Sequence, residues 1–64
     1  MKSFKLNNVD NTIKYTFIPK EFGVTIELDV VFEDGKTSHD YNGHYLSEAR
    51  DIYRELLKKG YKSP

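Results

Sequence analysis

The 64-residue sequence contains no cysteine and no tryptophan, and it has only two prolines and four glycines. The absence of cysteine excludes disulfide bonds and thiolate zinc sites as supports of the fold. Long apolar runs are also absent. The first residues, MKSFKLNNVD, lack the hydrophobic segment of a signal peptide, so we expect a cytoplasmic protein without a membrane segment. Ten basic and ten acidic residues cancel, so the chain has no basic excess of the kind that favours nucleic-acid binding.

Catalytic and cofactor motifs are absent as well. The sequence has no glycine-rich phosphate loop and no HExxH motif. Ser38, His39 and Asp40 are the residue types of a catalytic triad, but consecutive strand residues point to alternate faces and cannot assemble one. The same alternation puts His39 and His44 on opposite faces, unless Gly43 forms a bulge, which argues against a shared metal ion. We therefore expect a non-enzymatic protein without cofactor or metal.

What the chain does contain is a strand pattern followed by a helix pattern. Apolar and polar residues alternate up to residue 45, and the period changes to 3.6 near Leu46. Short loops between consecutive strands predict an antiparallel meander whose apolar face is covered by the helix. The chain is thus predicted to be a single small α+β domain, residues 1–64, of ββββα order. The strands are predicted at residues 2–6, 12–18, 23–32 and 37–45, and the helix at residues 48–59.

The predicted core takes most of the nine aromatic residues, because so short a chain needs large buried side chains. Ser47 is the predicted helix N-cap, and Gly60 is the predicted first residue beyond its C-terminus. The helix residues predicted to face the sheet are Ala49, Ile52, Tyr53, Leu56 and Leu57.

The turn at Asp34-Gly35 sets the predicted register of the last two strands. Asp-Gly is typical of a two-residue type I′ hairpin, which would make Glu33 and Lys36 partners. In that register Asp29 lies opposite Asp40 on the outer face, an unfavourable pair of like charges that a bulge or a cation would relieve. The fourth-strand side chains that this register turns toward the core are Thr37, His39, Tyr41, Gly43 and Tyr45.

The outer face of the sheet is the predicted partner-binding surface, because the core leaves it free and flat sheet faces are ready interaction sites. A loop at residues 19–22 would place Lys14 opposite Glu27. Glu27 and Asp29 would attract a basic partner and repel nucleic acid. Binding through the edge strand or the basic tail is the alternative. The candidate partner-binding residues are Lys14, Ile18, Phe22, Glu27, Asp29 and Val31.

Residues 43–61, GHYLSEARDIYRELLKKGY, resemble the end of small sheet-then-helix domains. An aromatic strand end, a Ser cap, an Ala-containing helix and a closing Gly-aromatic pair are similar to those of AP2-like integrase arm-binding domains and WGR domains. The resemblance implies nucleic-acid binding, since both families bind nucleic acid. The WGR tripeptide and the basic sheet of the AP2-like group are missing here, so no functional residue is carried over. The segment also resembles small phage and cyanobacterial proteins, which bring no function with them.

Three functions from different classes follow from these observations. The leading hypothesis is a protein-binding module, such as an adaptor, a regulator or a phage-type inhibitor. The second is a nucleic-acid-binding module, which would differ from the first by a steep weakening of the complex with salt. The third is an accessory subunit of a larger assembly. Homodimerisation would be a further source of stability for so short a chain.

Overall fold

The computed structural model describes residues 3–64 and contains four strands followed by one helix. The strands are hydrogen-bonded in sequence order, and every neighbouring pair is antiparallel. The prediction of a four-stranded antiparallel sheet with a C-terminal helix is therefore confirmed. The described part of the chain contains no helix that is both long and apolar enough to cross a membrane. The elements are β1 (Phe4–Asn7), β2 (Ile13–Lys20), β3 (Gly23–Val31), β4 (Thr37–His44) and α1 (Leu46–Lys58).

The core lies between α1 and one face of the sheet. Two edge-to-face aromatic pairs tie the layers together: the rings of Phe17 and Tyr53 are 5.3 Å apart, and those of Tyr15 and Tyr61 are 5.7 Å apart. These four aromatics lie in or against the core, but the other five of the nine are more than half exposed, so the prediction that most aromatics are buried is wrong. The buried apolar residues are Leu6, Phe17, Val24, Ile26, Ala49 and Leu56.

Asparagine side chains organise the first loop, residues 8–12. The Asn8 side-chain oxygen accepts hydrogen bonds from the backbone N–H groups of Thr12 (2.9 Å) and Ile13 (3.1 Å). Asn11 adopts a positive φ of 58°, a conformation that asparagine tolerates better than most residues. This loop leads directly into β2.

The turn between β2 and β3 is shorter than predicted. Strand β2 continues through Pro19 to Lys20, which pairs with Gly23, so only residues 21 and 22 form the turn. The register therefore moves by two residues, and the predicted opposition of Lys14 and Glu27 is wrong. Lys14 lies opposite Asp29 instead. Because the shift is even, every side chain of β2 and β3 keeps its predicted face.

The turn between β3 and β4 is longer than predicted, and here the faces change. The Phe32 N–H donates to the Lys36 carbonyl (2.8 Å), so the loop contains three residues, 33–35. Gly35 closes it with a φ of 85°, and the Gly35 N–H donates to the Phe32 carbonyl (2.9 Å). This geometry matches a three-residue hairpin with glycine in the left-handed region. A shift of one residue turns each side chain of β4 to the opposite face.

The predicted pair of Asp29 and Asp40 is therefore wrong. Asp29 lies opposite His39, and Asp40 lies opposite Leu28. The three-residue turn shifts β4 by one residue, so the imidazole of His39 and not the carboxylate of Asp40 lies beside Asp29. The β4 side chains that share the face of α1 are thus Ser38, Asp40, Asn42 and His44, and those on the outer face are Thr37, His39, Tyr41 and Gly43.

Helix α1 begins two residues earlier than predicted, with Tyr45 rather than Ser47 as its N-cap. This places Glu48 at the third helical position, where its Oε1 accepts a hydrogen bond from the Tyr45 N–H (3.1 Å). At the other end, the Gly60 N–H donates to the Leu57 carbonyl (3.1 Å) and the Tyr61 N–H to the Leu56 carbonyl (3.0 Å). These two bonds form a Schellman motif, so the predicted C-terminus is confirmed.

The two edges of the sheet differ. On the β1 edge, Asn7 and Lys62 exchange backbone hydrogen bonds of 2.8 and 2.9 Å, so the C-terminal tail covers part of that edge. Within residues 3–64, no segment pairs with the free edge of β4. Strand β4 is also exposed along nearly its whole length. The open edge and the outer face therefore meet at β4.

Candidate interaction site on the outer face

The outer face is the side of the sheet that points away from α1. Two rows of opposed residues cross its centre. The first row runs Asn7, Lys14, Asp29 and His39, and the second runs Lys5, Thr16, Glu27 and Tyr41. The backbone hydrogen bonds between the strands fix the relative positions of these residues, so the spacing of their side chains on this face is defined.

Charge on the outer face is divided between its two halves. Lys5 and Lys14 lie on β1 and β2, whereas Glu27 and Asp29 lie on β3. Within residues 3–64, no lysine or arginine nitrogen lies within 4.0 Å of either β3 carboxylate. The two acids therefore sit side by side without a permanently charged partner.

Among residues 3–64, His39 is the ionisable side chain that forms a hydrogen bond with one of these acids, Asp29. Its Nδ1 lies 2.5 Å from Asp29 Oδ1, and because the carboxylate oxygen is the acceptor, the Nδ1–H group donates this hydrogen bond. The hydrogen bond to Asp29 raises the pKa of His39 above its ordinary value, against an opposing effect of desolvation. The negative charges of Asp29, Glu27 and Asp40 raise it further. The site thus favours a positive charge beside Asp29.

Glu27 completes a compact group with this pair. One ligand-type atom from each of Glu27, Asp29 and His39 lies within 4.8 Å of the others. We call this group the acid–histidine cluster. Tyr41 stands beside it, since Tyr41 is opposite Glu27 and its ring centroid is 6.1 Å from that of His39. The arrangement offers two carboxylates, an imidazole and an aromatic ring on one half-exposed surface.

The predicted partner-binding residues do not form one patch. Lys14, Glu27 and Asp29 are neighbours at the centre of the face. Ile18 lies one row beyond Glu27, opposite Thr25, and Phe22 is 91% exposed in the turn at that end. Val31 is 46% exposed at the other end, opposite Thr37.

His39 and Tyr41 are the site residues that sequence reasoning missed. The predicted two-residue turn shifted the register of β4 by one residue, so both side chains were expected to face the core. One signal did point to the observed register: the unfavourable opposition of Asp29 and Asp40 disappears when β4 shifts by one residue. The predicted separation of the two histidines is confirmed, since His44 lies on the helix side, 3.9 Å from Glu48 Oε1.

A second concave feature lies between α1 and the sheet. It is an open groove of about 380 Å³, and its apolar lining includes Phe4, Phe17, Leu46 and Tyr53. Arg50 also lines it. The described residues that line this groove include no histidine. The close group of two carboxylates and an imidazole lies instead on the outer face.

Comparison with known proteins adds no relative. No protein-family model matches the chain. No curated protein and no solved structure matches it significantly. The resemblance to AP2-like and WGR domains therefore stays a prediction, and function is argued from the geometry of the outer face.

Proposed function

We propose that this domain is a non-enzymatic module that binds another protein on the outer face of its sheet. The observation that carries the proposal is the pair of carboxylates, Glu27 and Asp29, that no lysine or arginine of residues 3–64 neutralises. An exposed tyrosine, Tyr41, lies beside them, and tyrosine is enriched at protein interfaces. A half-exposed, open face cannot exclude water, which favours binding over catalysis.

The partner that fits this face presents a lysine or arginine next to acidic residues. A basic side chain could reach both carboxylates and rest on the ring of Tyr41, gaining an ion pair and a cation–π contact. Acidic groups of the same partner would meet Lys5 and Lys14 on the other half of the face. Such two-sided charge complementarity fixes orientation and raises the association rate. It also disfavours nucleic acid, whose phosphates would meet the acids at the centre of the face.

A comparison of charge-reversal variants tests the proposal. The wild-type protein and the double variant Glu27→Lys/Asp29→Lys serve as bait in nuclease-treated lysate of the source organism. The matched control is Asp51→Lys/Glu55→Lys, which makes the same charge change at exposed positions of α1. We expect a protein that the wild type and the helix control capture and the outer-face variant loses, with at least about tenfold weaker binding once the protein is purified.

Folding of each bait is checked by circular dichroism, because Asp29→Lys faces Lys14 across the strands. The neutral variant Glu27→Gln/Asp29→Asn keeps the test usable if the reversed variant does not fold. Equal capture by the wild type and the folded outer-face variant would contradict the proposed surface. A parallel capture from untreated lysate tests the alternative: a partner that is captured there and lost after nuclease treatment would favour nucleic-acid binding instead.

A further inference from the structure

The acid–histidine cluster has the donor set of a metal site. Glu27 and Asp29 supply carboxylate oxygens and His39 supplies an imidazole nitrogen, and these are ligands that first-row divalent cations accept. The imidazole separates this group from an ordinary cluster of surface acids. Two neighbouring strands hold the three residues, with His39 directly opposite Asp29. The backbone ladder therefore presents all three donors before any cation binds.

The distances in the cluster are close to those that a cation needs. The three donor atoms lie within 4.8 Å of one another, and the His39–Asp29 pair is already at 2.5 Å. Ligands about 2.1 Å from a tetrahedral zinc ion are about 3.4 Å apart. The Nδ1 and Oδ1 atoms of the His39–Asp29 pair would therefore move about 1 Å further apart, as their hydrogen bond is exchanged for bonds to the metal. The side chains of His39 and Asp29 are 50% and 38% exposed, so a hydrated ion can reach them.

The charge of the cluster also suits a divalent cation. A cation bound at Nδ1 would replace the proton that His39 donates to Asp29, and the two carboxylates with the neutral ring then carry a charge of −2, which one divalent ion balances. Lys14 is the nearest candidate for a competing protein cation on this row, since it lies opposite Asp29. Its ammonium makes no ion pair within 4.0 Å, so it leaves the carboxylates accessible.

We propose that Glu27, Asp29 and His39 bind one zinc-type divalent cation on the outer face of the sheet. The remaining coordination positions would be filled by water, as in zinc sites with three protein ligands. Harder cations such as Ca²⁺ and Mg²⁺ prefer all-oxygen ligand sets and would bind more weakly. A bound ion and a partner's basic side chain would compete for the same carboxylates.

Isothermal titration calorimetry of the full chain with Zn²⁺ at about pH 8 tests the site, since a higher pH favours the deprotonated nitrogen that a metal needs. We expect one ion per chain. His39→Ala and Asp29→Asn should each weaken binding by about tenfold or more, and Lys14→Gln should strengthen it. The matched control is His44→Gln, which removes the other histidine and its Glu48 contact from the opposite side of the sheet. This variant should bind Zn²⁺ like the wild type.

Three results would overturn the proposal. The first is no measurable binding of Zn²⁺ by the folded wild-type protein. The second is an unchanged affinity in folded His39→Ala, or an equal loss in His44→Gln. The third is tighter binding of Ca²⁺ than of Zn²⁺, which would indicate carboxylates acting without the imidazole. The test uses no partner, so it stands or fails separately from the proposed protein-binding function.

Discussion

Tyr61 shows how a single residue joins the end of the helix to the sheet. Its backbone N–H donates to the Leu56 carbonyl (3.0 Å) in the Schellman motif, and its ring packs against Tyr15. Burial raises the pKa of the Tyr61 hydroxyl above its ordinary value of 10.0, and Tyr15 adds to the increase. The folded state thus holds the phenolic proton more tightly than the unfolded chain does. This preference links the packing of one ring to stability at alkaline pH.

The Tyr61→Phe variant should make the protein less sensitive to alkaline pH. The stabilisation that comes from a raised pKa is complete below pH 10.0 and is lost as the pH rises through the higher value of the folded state. Phenylalanine keeps the ring and removes the titration. Thermal melts from about pH 9 to about pH 11 should therefore fall less steeply for this variant than for the wild type. The control Tyr45→Phe changes a residue that is 79% exposed and should follow the wild type. Parallel curves for Tyr61→Phe and the wild type would contradict the assignment.

At the scale of elements, α1 packs through a narrower stripe than its sequence suggests. Ala49 and Leu56 are buried, with Ile52 and Tyr53 partly buried against the same core. Leu57 was predicted to face the sheet but is 47% exposed. The adjacent leucines at positions 56 and 57 therefore form a natural comparison of buried and exposed side chains on one helix.

Replacing each leucine by alanine should lower the free energy of unfolding much more at the buried position than at the exposed one. Leu56→Ala removes a side chain that is only 5% exposed and should lower the free energy of unfolding by about 2–5 kcal/mol. Leu57→Ala has the same chemistry at an exposed position and should change it by less than about 0.5 kcal/mol. Urea unfolding followed by circular dichroism measures both. Similar losses in the two variants would show that the helix packs with a different face.

How far the sequence predicts the structure differs from strand to strand. In β3 a strict alternation of Val24, Ile26 and Leu28 with polar residues fixes the buried face, so Glu27 and Asp29 were placed correctly on the outer face. The helix end was predictable for a similar reason, since a glycine followed by an aromatic residue is typical of a Schellman motif.

Strand β4 gave no such signal. Both of its faces carry mainly polar residues, and the strand is exposed along nearly its whole length. Which face each β4 side chain lies on depended on the length of the turn alone, and Asp34-Gly35 suits a two-residue or a three-residue loop. The position of His39 in the candidate site therefore followed from tertiary structure, not from local pattern.

At the scale of the whole molecule, the main vulnerability is the open edge of β4. The tail at Lys62 covers part of the opposite edge, whereas the eight residues of β4 pair on one side only within residues 3–64. Exposed edges invite pairing with another chain, and an inward-pointing charge is one device that prevents it. Asp40 has this position: it lies opposite Leu28 on the face of the sheet that carries α1, and it lines an open groove together with Ile52. Its carboxylate would be trapped against apolar surface if a second strand closed over the edge.

The variant Asp40→Val should stabilise the monomer and promote self-association. Valine suits a strand and extends the apolar surface around Leu28, so we expect a gain of about 0.5–1 kcal/mol. That corresponds to an increase of several degrees in melting temperature, at about 4–8 °C per kcal/mol for a small domain. Removing the charge should at the same time allow β4 to pair with a second copy. Sedimentation velocity over a range of concentrations would then show dimers that the wild type forms less readily.

The control Asp51→Val separates edge pairing from the effect of net charge. Both variants change the formal net charge from 0 to +1, which by itself disfavours association. Asp51 lies exposed on α1, away from the β4 edge, so its variant should remain as monomeric as the wild type. Association of Asp40→Val alone would identify the β4 edge as the surface that this carboxylate protects. Equal association of both variants, or none in either, would show that Asp40 has no protective role, and the polar inner face of β4 would then need another explanation.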